Sequence, residues 1–339
     1  MEFKKLIKGK ALYAEKERLW VAQGMTFFAI DYKGKRVTPK YTVGNRLQVV
    51  LSKNRLTRQT LREGLHHLSL LPNGDIFVTA KRKAFTVDAK TGTVKSIFEG
   101  FIGNKPGHQG VLISPNGAIF FGEYSINLDR KNDTHLYRSD DNGITFKVIK
   151  TFPKNVRHIH FIKYDPYENC LWMGTGDADH ECFLMRSDND GDSWQLIGSG
   201  SQDWRAIGIC FHKDYLIWGT DAGSVPDQNH LVCMDRKTHE IKILDNLEGP
   251  CHGCASYIDG RVFFSTGVEG GENEKDNYAR LKEFKDGTLV DVWKLKKDFW
   301  PLIVQFGVMR FPLGTDNCSR VVFTTMGLKG HGETIMIEK

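Results

Sequence analysis

Residues 157–160 read Arg157-His158-Ile159-His160, and some fifteen residues later come Thr175-Gly176-Asp177 and then Glu181. Imidazole moves protons near neutral pH, guanidinium holds a carboxylate through paired hydrogen bonds, and a carboxylate beside an imidazole fixes its tautomer. His158 and His160 are two residues apart, so on a strand both point the same way. Such a set suits proton abstraction beside a substrate carboxylate, hydrolysis between two carboxylates, or a divalent cation held by imidazole and oxygen ligands, as manganese and zinc accept.

Comparable groups recur in short polar segments. Arg62, His66 and His67 lie in 61–67, His108 in 107–110 and Tyr124 in 122–130. Gln202 and Arg205 lie in 201–205, Asp221 and Asn229 in 220–229, His252 in 251–253, Glu269 in 266–277 and Gln305 in 304–307. Only a fold that returns to one place many times could use them together.

The sequence has such a rhythm. Six very apolar segments, GDIFVTA, GAIFFGEY, NCLWMGTGD, DYLIWGTDA, GRVFFSTGVE and RVVFTTMG, recur at intervals of roughly 43 to 60 residues. Tight turns precede several of them: LPNGD at 71–75, SPNGA at 114–118, DPYEN at 165–169. Pro, Asn, Asp and Gly supply the backbone angles of hairpin turns. Two further strands follow each, as in HLYRS then FKVIKTF, and helical periodicity is nearly absent outside the stretch around Leu51–Leu65. This pattern predicts an all-β chain, a single β-propeller domain over 1–339 with seven four-stranded antiparallel blades, six being the alternative count. Blade one spans about 11–45, and later blades start near Leu65, His108, Arg157, Trp204, Cys251 and Val304. The last segment offers three strands, so the N-terminal FKKLIKG is expected to close the ring as the fourth.

Composition narrows the classes. With 40% hydrophobic and 26% charged residues the chain is ordinary for a globular protein. No window approaches the eighteen or so apolar residues of a membrane span, and the N-terminus lacks the apolar core of a secretory signal. Seven cysteines, an odd number in mostly apolar surroundings, point to reduced thiols and a cytoplasmic setting, although a signal already removed would leave no trace. Cys251 and Cys254 have redox or zinc spacing, but no second such pair completes a zinc site. The net charge of +6 reads as mild and spread out, without the tract of a nucleic-acid footprint, yet suited to an anionic ligand.

Ser139–Phe146, SDDNGITF, and Ser187–Trp194, SDNDGDSW, resemble the Asp-box of BNR repeats, the pattern of sialidase-like propellers, with Asn189 where Asp is usual. The resemblance covers about two of seven blades and implies that these boxes fold the turn between a blade's third and fourth strands. Asp141, Gly143, Phe146, Gly191 and Trp194 are then structural.

In a four-stranded meander the loops after the second strand and the segments leading into each new blade emerge on one face. All the polar segments above belong to those two sets, so they are expected to ring one mouth of the central channel. His158, His160, Tyr124, Arg205 and Asp177 are the expected catalytic residues. Arg62, His67, Arg157, Glu181, Gln202, Asp221, Asn229, His252, Glu269 and Gln305 are expected to bind substrate. The His, Tyr and Arg set is similar in chemistry to propeller polysaccharide lyases, such as those acting on ulvan and oligogalacturonate. That likeness implies an acidic, uronic-acid-containing glycan as partner, a lyase or glycoside hydrolase as activity, and neither nucleic acid nor membrane. A divalent cation would sit on His158 or His160 with Gln305 and a further His. A glycan-binding propeller without catalysis, and then an interaction scaffold, are the competing readings. True sialidase chemistry is disfavoured: Arg62, Arg157, Arg205, Glu123 and Tyr124 supply the residue types, but the family's lead-in motif is missing.

Overall fold

The structure is a computed structural model, described over residues 2–103, 105–223, 227–272, 274 and 276–338. Seven four-stranded antiparallel sheets form a ring, six of them following chain order from the innermost strand outward. Blades 1 to 6 occupy 10–42, 65–99, 111–152, 159–198, 210–246 and 251–296. Blade 7 takes Val308–Arg310, Val321–Met326 and Glu333–Glu338, and its outermost strand is Glu2–Lys8 from the other end of the chain. Phe3 pairs with Ile337 in that seam, and its ring stacks on Trp293 of blade 6 at 4.4 Å. The expected closure by the N-terminal strand is therefore observed.

The apolar runs are second strands, and their burial explains their composition. Ile76–Ala80 and Cys170–Thr175 are buried along their whole length, because a second strand is covered by neighbouring blades on both faces. Outer strands such as Val94–Glu99 are mostly exposed and correspondingly polar.

Turn chemistry agrees with the residues present. Gly74 and Gly117 take φ of 90°, as the LPNGD and SPNGA turns require. In 139–146 the Ser139 hydroxyl lies 2.7 Å from Asp141 Oδ1 and accepts from the Gly143 N–H at 2.9 Å, while Asp141 Oδ1 accepts from the Thr145 N–H. In 187–194, Asn189 takes the place of Asp141, its amide oxygen accepting from the Ser193 N–H at 2.9 Å.

Two departures from the sequence reading matter for the site. Helical structure comes earlier than expected, as two short helices, α1 (Arg46–Lys53) and α2 (Arg55–Thr60), because Asn45 caps α1 by accepting from the Gln48 N–H. Blades 3, 5 and 7 begin their inner strands at Val111, Cys210 and Val308, a few residues after the expected starts. The intervening residues, including a short 3₁₀ turn at Gln202–Trp204, bend over the channel before the strand begins. Among the described residues no helix is long and apolar enough to cross a membrane.

Adjacent blades are also tied by charge. Arg236, at the end of blade 5's third strand, meets Asp165 of blade 4 through bonds of 2.5 and 3.2 Å, both side chains almost fully buried. Replacing Asp165 by Ala leaves the buried guanidinium with only Glu168, 3.2 Å away, and the His212 carbonyl, which costs up to about 3–5 kcal/mol. Chemical denaturation should register a loss of that size, whereas an exposed pair such as Lys83–Glu99 should be worth under about 1 kcal/mol.

Candidate functional site

The mouth is built from segments leading into inner strands and loops leaving second strands. Asp177, just past the second strand of blade 4, is its hub. His158 Nε2 and His160 Nε2 lie 3.2 and 3.3 Å from Asp177 Oδ1, and an Arg205 nitrogen lies 2.9 Å from the same oxygen. Arg157 grips the other oxygen. Burial alone would raise the Asp177 carboxyl, but bonds from both histidines outweigh it and hold the group well below the usual carboxylate range.

His158 is almost fully buried, and Tyr124 from blade 3 stacks on it at 4.0 Å with planes 16° apart. His158 Nδ1 faces the Ser125 carbonyl at 3.0 Å, and a carbonyl only accepts, so Nδ1 carries the hydrogen. A proton taken up at Nε2 is then the one that bonds Asp177 Oδ1, so the carboxylate stabilises the imidazolium and is itself kept ionised. Burial pushes His158 down, with Asp177 pulling the other way, and the net direction is downward. Burial also pushes Tyr124 up to about 12, helped by the charges of Asp221 and Asp177, so it is a phenol at neutral pH.

A second cluster adjoins the first. The ligand atoms of Asp221, His252 and Glu269 lie within 4.8 Å of one another, with His252 Nε2 2.7 Å from Glu269 Oε1. Burial raises the Asp221 carboxyl, whereas His252 outweighs burial at Glu269 and lowers it. Asp221 Oδ2 is 3.7 Å from Arg205, which links the two clusters. Gly267 makes room for the His252 ring, since a Cβ there would run into it.

On the other side of the mouth the charge reverses. A cleft of about 1230 Å³ opens between blades 7, 1 and 2 and the lead-in to blade 3. Lys8 and Lys10 line it from the joint between blades 7 and 1, and α1 and α2 form a wall with Lys53, Arg55 and Arg58. Arg62, Lys105 and Arg310 complete the set. Among the described lining residues the only carboxylates are Glu63, which is bound by Lys81, and Glu333, which is bound by Lys5. Eight cations line the cleft against two carboxylates, and among the described residues only Arg55, paired with Asp298 at 2.6 Å, is matched from behind the lining, so the cleft is locally positive. Burial, then the charges of Arg310 and Arg62, pulls Lys105 down to about 8.

The residues named from sequence divide accordingly. His158, His160, Tyr124, Asp177, Arg157 and Arg205 form the first cluster, and Asp221, His252 and Glu269 the second. Arg62, at φ 52°, and Gln305 line the cleft, Gln305 accepting from Arg55 at 2.8 Å, away from the histidine pair. The remaining four hold loops. Glu181 is fully buried and accepts from Arg130 and from the Ala178 and Arg157 N–H groups. Gln202 donates to the Asp177 carbonyl at 3.0 Å and to Asp179 at 2.7 Å, setting the hub loop in place. Asn229 bonds Ala222 and Gly223 within its own loop. His67 spends one ring nitrogen on Thr79 and donates the other to the Gly107 carbonyl, joining blade 2 to blade 3. Sequence reasoning missed Lys10, Lys105 and Arg310. Arg310 bonds the His252 carbonyl at 2.9 Å, feels the charges of Asp221 and Glu269, and has no described carboxylate within 4.0 Å. Its place in blade 7's inner strand, MRF, was the available signal.

No family model and no curated protein matches the sequence. Solved structures that it resembles include an oligogalacturonate lyase in complex with manganese, at 15% identity over 98% of this chain and 92% of that one, with a TM-score of 0.61. YCF48 bound to a D1 peptide follows at 11% identity, 100% and 95% coverage and 0.58. An ancestral GH74 enzyme gives 12%, 96% and 0.53, this chain spanning 46% of it. Likeness at such identity establishes the propeller fold, shared by lyase, hydrolase and peptide-binding proteins alike.

His66, His67 and His108 sit beside Lys10 and Lys105, and burial first, then these charges, pushes all three well below the ordinary value near 6.5. The unfolded chain therefore binds protons that the fold refuses. Stability is fully present above about pH 6.5 and is lost as pH falls below it. The thermal midpoint should change only slightly between pH 8 and 7, where lowered Lys105 begins to titrate, and drop more steeply on acidification toward pH 5, less so for His108→Gln; a flat midpoint from pH 7 to 5 would contradict this electrostatic picture.

Proposed function

We propose that the channel mouth cleaves an acidic, uronic-acid-containing glycan by β-elimination. The observation that carries this reading is the stacked Tyr124–His158 pair, whose proton affinities are pushed apart beside the ionised Asp177. Arg310, with donors to spare, neutralises the substrate carboxylate and so acidifies the C5 proton. His158 Nε2 takes that proton, the C5–H electron pair forms the C4=C5 double bond, the C4–O bond breaks, and Tyr124 protonates the departing oxygen. Because the two rings are stacked, acid and base lie on one side of the sugar, as a syn elimination requires. Arg205 and Asp177 position His158 and stabilise its imidazolium. The lyase neighbour is consistent with this chemistry on such a fold. The seven free thiols fit a reducing, cytoplasmic setting.

A hydrolase is the second reading, favoured by Asp221 and Glu269, two carboxyls with opposite shifts whose oxygens lie within 4.8 Å. That separation is near the roughly 5 Å of retaining pairs and below the roughly 6.5–9.5 Å of inverting ones. A divalent cation fits the Asp221–His252–Glu269 trio, whose His252 Nε2 is buried without an aligned hydrogen bond, better than His158–His160–Asp177, where Arg157 and Arg205 already neutralise the carboxylate. Such an ion would supply Lewis-acid stabilisation of the substrate carboxylate, and no step above depends on it.

Incubation with acidic polysaccharides, followed at about 235 nm and by reducing ends, separates the outcomes. Unsaturated product supports the lyase, reducing ends without absorbance the hydrolase, and binding without product a glycan-binding propeller. His158→Gln and Tyr124→Phe should each lower turnover about 10²–10⁴-fold with the thermal midpoint nearly unchanged. Activity should persist below pH 6.5 and fall only at more acid pH, because the base has a lowered proton affinity.

A further inference from the structure

We propose that the basic cleft beside the channel holds a run of successive uronate residues of a linear oligosaccharide, extending the substrate beyond the sugar that reacts. This deepens the reading above and rests on it for the substrate's identity. The cleft's own features lead to the same ligand class.

Charge comes first. Among the described residues no carboxylate lies within salt-bridge distance of Lys10, Arg58, Arg62, Lys105 or Arg310, although all line one space. Their positions are held by neutral partners. Lys10 donates to the His66 carbonyl at 2.9 Å, Arg58 to the Ser52 carbonyl at 3.3 Å, and Arg310 to the His252 carbonyl at 2.9 Å. Carbonyls fix these side chains without cancelling their charge, so the fold carries mutual repulsion that bound anions would relieve.

Shape and surface narrow the class. The volume of about 1230 Å³ exceeds the 300–1,000 Å³ common for single small ligands, leaving room for more than one sugar. Adjoining the helical wall, where Arg55 reaches Gln305 at 2.8 Å, a second wall is apolar with Ile303, Val304 and Phe306, and Ile303 is 96% exposed. A uronate residue has a charged edge and C–H faces, so it uses both walls at once. Inorganic polyphosphate offers charge with no such face next to it.

The cleft also continues into the catalytic clusters. Arg310 lines it while bonding the His252 carbonyl of the second cluster at 2.9 Å, so a chain lying in the cleft delivers its next residue to the reacting groups.

Calorimetric titration of the full chain with hexagalacturonate, cellohexaose, tripolyphosphate and a short oligothymidylate tests the proposal. Hexagalacturonate should bind, weaken severalfold as ionic strength rises from about 0.05 to 0.3 M, and outcompete the others, with cellohexaose silent. Arg58→Ala and Lys105→Ala should each weaken it about tenfold. Ile303→Ser should weaken it too, while leaving tripolyphosphate binding unchanged. Both charge variants should melt at or above the wild-type temperature, since each removes repulsion; a large fall would mean that the cations serve the fold and would overturn the proposal. Equal or tighter binding of tripolyphosphate or oligothymidylate, or no binding of hexagalacturonate, overturns it as well. Binding without any cleavage product sustains it while removing the lyase reading.

Discussion

An antiparallel meander has two ends, and the chain can pass from one blade to the next at only one of them. With four strands per blade, the loop after the second strand and the link to the following blade must emerge on the same face. Seven repetitions bring fourteen segments to one rim, and polar residues placed in those segments converge however far apart they stand in sequence. His158 and His252, in different blades, reach one site for this reason, as do Lys8 and Arg310 from opposite ends of the chain. The hairpins at 139–146 and 187–194 occupy the other end and stay out of the chemistry.

Within that rim, electrostatics divides the labour. Two arginines and two histidines on one carboxylate form a rigid, nearly self-compensated centre around Asp177. Across the channel the cations face one another without such a centre. Burial acts in opposite directions on the two kinds of group: it keeps Tyr124 and Asp221 protonated more readily, and it makes Lys105, His108 and His158 give up protons more readily. The mouth is thus polar across its width as well as along its axis.

Much of this was legible in the sequence, because the propeller writes itself as period and as turn residues. Strand type, blade number, ring closure and the shared face all follow from local pattern, and they place Asp177 and Asp221 in equivalent loops of successive blades. What was not legible is side-chain partnership. Glu181, Gln202, Asn229 and His67 look like site residues by type and segment, yet their polar atoms are used to hold loops, which only the backbone geometry reveals. Conversely Lys10, Lys105 and Arg310 are isolated basic residues in sequence, and the field they create arises only when blades 1, 3 and 7 meet. Helix α1 was displaced in the reading because its capping signal, Asn45 with Gln48, is shorter than the periodicity that was sought.

The seam in blade 7 joins strands more than three hundred residues apart, and it sets an order of events for a chain made from its N-terminus. Blades 3 to 6, which carry the histidines and carboxylates, are each contiguous and can condense as their residues emerge. The basic cleft has no such independence. Lys8 and Lys10 wait beside an unpaired edge strand until Arg310 and the 333–338 strand arrive to meet them. The last region to be assembled is therefore the one where the cations gather, so their shared cleft exists only in a ring that has sealed.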